Sequence, residues 1–338
     1  MSDTFKLILF VFFALVFTAC TKETAQNSPE KEANSEINHG TNYETISKPA
    51  CALSEEMKQM FLIYGQDKPY FIFRLDTTNG ESFVTCTLNS ENKWDTQKAP
   101  WSDFITKHNK DGLYKIACDS QGGLYIFCSN SEYTDYSLYF VGEGLHPQEL
   151  NIKDIFGIIK EQKVVSFNLI KDDKLVFFFS EDETDLQGNA VEYDVAREKF
   201  TEESGRVDDF SASFDEEGYY YTVSPRQKVI TKKTIYEELP KQLIKCEAIT
   251  EECTNNLLVI RDECGYLMTA EGIYGGKLED EQWKNILPIG SMKYPKDFPS
   301  PVMGTANIEK VSGDDEEFYV MTWRNMEFTD FEWVHYIV

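Results

Sequence analysis

This sequence predicts an all-β fold: six copies of one four-stranded antiparallel unit, arranged in a ring. Three observations predict it. Six pairs of apolar or aromatic runs are each joined by a short Asp- or Gly-bearing turn. The second runs recur at even spacing, beginning near residues 70, 124, 175, 219, 266 and 318, with steps of 54, 51, 44, 47 and 52. Each copy leaves room for two further strands. A repeat of about 40–50 residues with several strands per copy is the sequence signature of β-propeller blades. Helical repeats of similar period are the alternative, and aromatic and β-branched runs broken by Asp/Gly turns argue against them.

The hairpins follow in order. Met60–Tyr64 turns at Gly65–Lys68 into Tyr70–Phe73, and Tyr114–Cys118 turns at Asp119–Gly123 into Leu124–Phe127. Val164–Ile170 turns at Lys171–Lys174 into Leu175–Phe179, and Phe210–Phe214 turns at Asp215–Gly218 into Tyr219–Val223. Leu257–Ile260 turns at Asp262–Gly265 into Tyr266–Met268, and Ile308–Val311 turns at Gly313–Glu316 into Phe318–Met321. Asp and Gly supply the local hydrogen bonds and positive φ that tight hairpins need. Ser82–Leu88 followed by Ser90–Trp94 gives the first blade two more strands. Ala190–Val195, turning at Arg197–Lys199 into Phe200–Thr201, does the same for the third. The pieces at Trp94 and Trp283 read as outermost strands. The first strand of each hairpin should line the central channel, where small side chains such as those of Ala117 and Ser211–Ser213 suit the crowding.

The last copy has only three strands: Ile308–Val311, Phe318–Met321 and Phe331–Val338. Residues Tyr43 to Pro49 are left over ahead of the first copy. They are expected to supply the missing strand and close the ring, which removes exposed sheet edges. The Asp-x-x-Gly turns of Asp119–Ile126 and Asp215–Tyr221 resemble those of NHL-type and related six-bladed propellers of bacterial surface proteins. That resemblance covers residues 43–338 and implies the architecture alone.

Ahead of the domain, Lys6 precedes an unbroken apolar run, Leu7 to Phe17. The run is shorter than the ~20 residues needed to span a bilayer. A charged flank, a short apolar core and a small residue describe an export signal. Phe17-Thr18-Ala19-Cys20 resembles the lipobox of bacterial lipoproteins. The resemblance implies cleavage before Cys20, a signal peptide over residues 1–19 and lipid on the Cys20 sulfur and amine. An ordinary secretory signal with an incidental cysteine is the alternative. Residues 20–42 are poor in large apolar groups and read as a tether, with an r.m.s. reach of roughly 25 Å. The expected location is extracytoplasmic, at a bacterial membrane or envelope surface.

The chain carries a net charge of −25, which opposes nucleic-acid binding. Between Glu181 and Glu217 fourteen acids face three bases, Arg197, Lys199 and Arg206. That stretch reads as a solvated loop rim, or as a surface for a cation or basic ligand. Asp182, Glu183 and Asp185 are weak calcium candidates, lacking EF-hand spacing, and no other cofactor is expected. With Cys20 lipidated, Cys51, Cys86, Cys118, Cys128, Cys246, Cys253 and Cys264 remain. Cys246 and Cys253 are the best local disulfide candidates, the alternative being free buried thiols. Catalytic motifs of the Gly-x-Ser-x-Gly, His-Glu-x-x-His, phosphate-loop and dinucleotide types are absent from the sequence. Four histidines, His39, His108, His146 and His335, are dispersed along it, and Asp314–Glu317 reads as a hairpin turn. Trp94, Trp101, Trp323 and Trp333 read as blade core or as stacking platforms. The expected function is a binding or scaffolding module for a protein, peptide or glycan, with no catalytic residue assigned. The alternative is a propeller hydrolase or lyase with a carboxylate or metal site at the channel mouth.

Overall fold

The computed structural model describes residues 42–53, 56–63, 68–109, 112–119, 121–142, 146–171, 174–182, 187–209, 212–215, 217–261, 263–294, 298–310, 317–326 and 330–338. The apolar run, Cys20, the tether up to residue 41 and His39 lie outside them, as do Ser211, Glu183, Asp185 and Asp314–Glu316, while Asn42, expected at the tether's end, is the first residue of a strand.

Among the described residues, twenty-four strands form six four-stranded antiparallel sheets, five paired in chain order and the sixth completed by the first strand of the chain. Blade 1 holds β2 (Met57–Ile63), β3 (Tyr70–Thr77), β4 (Gly80–Leu88) and β5 (Trp94–Lys98). Blade 2 holds β6 (Leu113–Cys118), β7 (Leu124–Ser129), β8 (Tyr136–Val141) and β9 (Gln148–Leu150). Blade 3 holds β10 (Lys163–Lys171), β11 (Lys174–Ser180), β12 (Gly188–Asp194) and β13 (Lys199–Val207). Blade 4 holds β14 (Ser213–Phe214), β15 (Tyr220–Ser224), β16 (Val229–Lys233) and β17 (Gln242–Lys245). Blade 5 holds β18 (Leu258–Arg261), β19 (Cys264–Thr269), β20 (Gly272–Lys277) and β21 (Lys284–Pro288). Blade 6 holds β22 (Thr305–Lys310), β23 (Glu317–Trp323) and β24 (Phe331–Ile337), and its fourth strand is β1 (Asn42–Ser47). The predicted six-bladed propeller and its closing strand are therefore both present.

The second strand of each blade is buried on both faces, so its sequence is a continuous apolar run. All six residues of Leu124–Ser129 are buried, as are Leu175 to Ser180. Outer strands face water, and β5 is almost wholly exposed. The apolar cores lie between neighbouring blades. Phe127, Val164, Phe167 and Phe177 fill the space between blades 2 and 3, and Ile46, Phe71, Phe73 and Trp333 fill the space between blades 6 and 1. Each fully buried Phe contributes about 1.5–3 kcal/mol.

First strands touch their neighbours from blade to blade: β2 with β6, β6 with β10, β10 with β14, β14 with β18, and β18 with β22. Side chains lace this inner ring. Gln59 Nε2 donates to Tyr114 O at 3.3 Å, Asn168 Nδ2 to Ala212 O at 3.3 Å, and Ser213 Oγ to Leu258 O at 2.8 Å. Two short helices link outer to inner strands of successive blades: α1 (Ser102–His108) before blade 2 and α2 (Ile155–Ile159) before blade 3. Among the described residues no helix is long and apolar enough to cross a membrane.

The two Asp-x-x-Gly turns are the same structure built twice. Asp119 Oδ1 accepts the Gln121 and Gly123 N–H groups, while Gly122 N–H donates to Asp119 O. Asp215 Oδ1 accepts the Glu217 and Tyr219 N–H groups, while Gly218 N–H donates to Asp215 O. Gly122 and Gly218 take φ of 86° and 89°, which a Cβ disfavours.

The seam joins β1 to β24 from Asn42↔Ile337 to Ser47↔Glu332. Ile46 is buried in the blade 6–blade 1 core. Blade 1 also holds this strand: Trp94 Nε1 donates to Ser47 O at 2.5 Å, and Asn92 Nδ2 donates to Glu44. Lys48 Nζ meets Asp330 at 2.8 Å, and Lys293 Nζ bridges Thr45 Oγ1 and Glu332 at 3.0 and 2.9 Å.

Candidate functional site

A cavity of about 300 Å³ opens on the outer half of blade 3. It is lined by Lys174, Glu192, Asp194, Arg197, Lys199, Phe200, Thr201 and Glu202. Its side chains come from three strands and one turn. Register places Lys174 of β11 opposite Asp194 of β12, and Asp194 opposite Lys199 of β13, so these three lie side by side across the sheet. A bulge follows: Tyr193 faces Phe200 and Val191 faces Ser204, so the Thr201–Glu203 stretch stands against Glu192 alone. Bulges bend a strand and re-aim its side chains. Here Thr201 Oγ1 turns back to Glu192 O at 3.4 Å and Glu203 O at 3.1 Å. The β12–β13 turn closes with Glu198 at φ 49°, and Arg197 N–H donates to Asp194 Oδ1 at 2.9 Å.

Charges of both signs alternate around this hollow. Lys174 Nζ lies 3.7 Å from Glu192 Oε2, and Arg197 Nε lies 3.6 Å from Asp194 Oδ2. Three acids and three bases line it, although it sits inside the most acidic stretch of the chain. The bases of β11 and the turn compensate locally. The Tyr236 hydroxyl adjoins Thr201 and Glu192; burial first, then the Glu192 and Glu203 carboxylates, raise it above the usual phenol range. Loose ion pairs about a partly apolar wall suit reversible binding of a ligand that itself bears both charges.

The other predicted positions are not gathered here. Asp182 is exposed at the end of β11, its N–H donating to Ser180 Oγ at 3.4 Å. His108 stacks on Phe104 with ring centroids 4.1 Å apart, its Nδ1 2.7 Å from Phe104 O. His146 is exposed in the loop before β9. His335 stacks on Tyr319 at 4.4 Å, and its Nε2 meets Glu317 Oε2 at 3.0 Å. Among the described residues no three His, Cys, Asp or Glu side chains form a metal-binding group. Of the two readings of the tryptophans, packing holds for Trp101, Trp323 and Trp333, all buried; Trp94 is half-buried against Phe71 and Ser47.

Cys246 and Cys253 are buried thiols, and Cys253 Sγ points to Met268 O at 3.8 Å. Among the described residues the sulfurs of Cys51 and Cys86 lie 3.0 Å apart, a pairing that no local spacing in the sequence singles out. Thirty-five positions separate them, and only the fold brings them together.

No family model matches the chain, and no curated protein matches it. Solved structures do. The chain is similar to the fucose-specific lectin from Aleuria aurantia at 11% identity, covering 82% of this chain and 94% of the lectin with a TM-score of 0.41. It is similar to a luciferin-regenerating enzyme at 11% identity, covering 82% and 76%, TM-score 0.34. It is also similar to the acylaminoacyl peptidase of Pyrococcus horikoshii at 11% identity, covering 79% of this chain but 43% of the peptidase, TM-score 0.41. The chain thus spans less than half the length of that peptidase.

Proposed function

We propose that the chain is a lipid-anchored lipoprotein of a bacterial envelope whose propeller, outside the cytoplasm, binds a protein, peptide or glycan partner. The observation that carries this reading is one of order in the sequence. A short apolar run ends at Thr18-Ala19-Cys20, a polar tether follows, and the tether leads directly into the strand that closes the ring. Several acyl chains on one cysteine hold a protein firmly on a membrane surface without a spanning helix. A rigid ring then presents its rim to a partner, and loops on such scaffolds are where recognition sits. The blade 3 hollow supplies a first contact point. Its mixed charge favours a peptide segment, which carries both signs, over a neutral sugar.

Mass spectrometry of the mature N-terminus should find acylated Cys20, and Cys20→Ser should move the protein from the membrane fraction to the soluble one. An unmodified Cys20 overturns the anchor. Arrays of short peptides and glycans, probed with the Cys20→Ser chain, test the rim. Binding to mixed-charge peptides should fall at least tenfold in Lys174→Glu/Lys199→Glu, and binding that survives this charge reversal overturns the assignment to blade 3.

A further inference from the structure

Cys51 and Cys86 come from different parts of the fold. Cys51 lies on the short 3-10 turn Ala50–Leu53, just after the closing strand, and is half-buried. Cys86 lies in β4 of blade 1 and is fully buried among Phe71, Phe73 and Leu88. Their sulfurs are 3.0 Å apart, about 1 Å longer than a disulfide bond. The spacing leaves no room for a metal ion: two thiolates bound tetrahedrally at about 2.3 Å would stand about 3.7 Å from each other. We propose that Cys51 and Cys86 are a disulfide-forming pair that latches the seam of the ring.

The latch acts where one blade is assembled from two distant stretches of chain. Peeling β1 from β24 opens the propeller, and the segment after β1 is the lever by which it peels. A bond from Cys51 to blade 1 pins that segment to the sheet beside the seam, leaving only β1 and the residues up to Ala50 free to move.

Formation needs an oxidant, and the co-reactant is a small-molecule or protein disulfide, as found outside the cytoplasm. Cys51 is the sulfur such a reagent can reach. It loses its proton to water, attacks the reagent's S–S bond and releases one thiolate. The Cys86 sulfur then attacks Cys51 Sγ, forms the Cys51–Cys86 bond and expels the second thiolate. Two thiols are oxidised and one disulfide reduced, and the two protons lost by the cysteines balance those taken up by the released thiolates.

The proposal rests on the extracytoplasmic reading for the oxidant, but the pairing is tested apart from it. The purified full chain is titrated with oxidised glutathione and followed by intact mass, peptide mapping and thermal melting. A linked Cys51–Cys86 peptide is expected, with two hydrogen masses lost and a Tm about 5–10 °C higher, reversed by reductant. Cys51→Ala should melt near the reduced wild type and show no such rise. Both cysteines remaining alkylatable, linkage to other cysteines, or an unchanged Tm on oxidation would each overturn the latch. Protein alkylated in intact cells supplies the separate arm. If it is reduced there yet links in glutathione, the pairing stands and the extracytoplasmic reading falls.

Discussion

Asp215 shows how much one side chain can organise. One carboxylate oxygen accepts two backbone N–H groups of its own turn. The other accepts the Tyr221 hydroxyl at 2.8 Å and meets Lys232 Nζ at 3.4 Å. Lys232 in turn lies over the rings of Tyr219 and Tyr221. Burial, then the Asp215 carboxylate, push the Tyr221 phenol above its ordinary range, so it stays a donor at any physiological pH. Asp215→Ala would leave buried donors without an acceptor. Unpaired buried groups cost about 1–3 kcal/mol each, more when charged. Urea unfolding should show a loss of about 2–4 kcal/mol. Asp215→Asn, which keeps one acceptor oxygen, should lose less; equal losses would mean that the turn contacts contribute nothing.

At the scale of elements, legibility follows burial. The second strands could be read because both faces are buried and their centres are unbroken apolar runs, as in Leu175–Phe179. The two Asp-x-x-Gly turns could be read because the residue chemistry is itself the structure. Outer strands such as Gln148–Leu150 and Gln242–Lys245 are short and half in water, so no apolar period marks them. The helices Ser102–His108 and Ile155–Ile159 are one or two turns long, too short for a helical period to emerge. The blade 3 hollow was visible only as an acid-rich stretch, because its compensating Lys174 belongs to another strand and the bulge at Thr201 follows from pairing. Packing between blades is likewise invisible in sequence. At Gly205 in β13 a Cβ would stand 2.1 Å from Ile235 O of blade 4, while at Gly122 it would meet nothing within 4 Å. Gly122→Ala should therefore cost only its backbone strain, about 1–2 kcal/mol. Gly205→Ala must separate two blades, and its Tm should fall further. A smaller fall than that of Gly122→Ala would refute close blade contact at this position.

For the molecule as a whole, closure decides whether six marginal sheets become one cooperative unit. Each blade buries its faces only against its neighbours, so a ring that opens at one interface uncovers a face on each of two blades. The seam is where one blade is assembled from two distant stretches, Asn42–Ser47 and residues 305–337. Its contacts are correspondingly redundant: a six-residue ladder, the Ile46 side chain in the core, the Trp94–Ser47 hydrogen bond and the Lys48–Asp330 and Lys293–Glu332 ion pairs. Deleting residues 42–49 would strip all of them except Lys293–Glu332, leave Phe71 and Trp333 less covered and expose the edge of β24. Exposed edges recruit other chains. The deletion should therefore lower Tm by about 10 °C or more and make aggregation concentration-dependent. A synthetic peptide spanning residues 42–49, added in trans, should recover part of the loss by occupying the vacant edge. If the deleted chain melts at the wild-type temperature, the blades are held by their inner strands alone and strand closure is not what stabilises the ring.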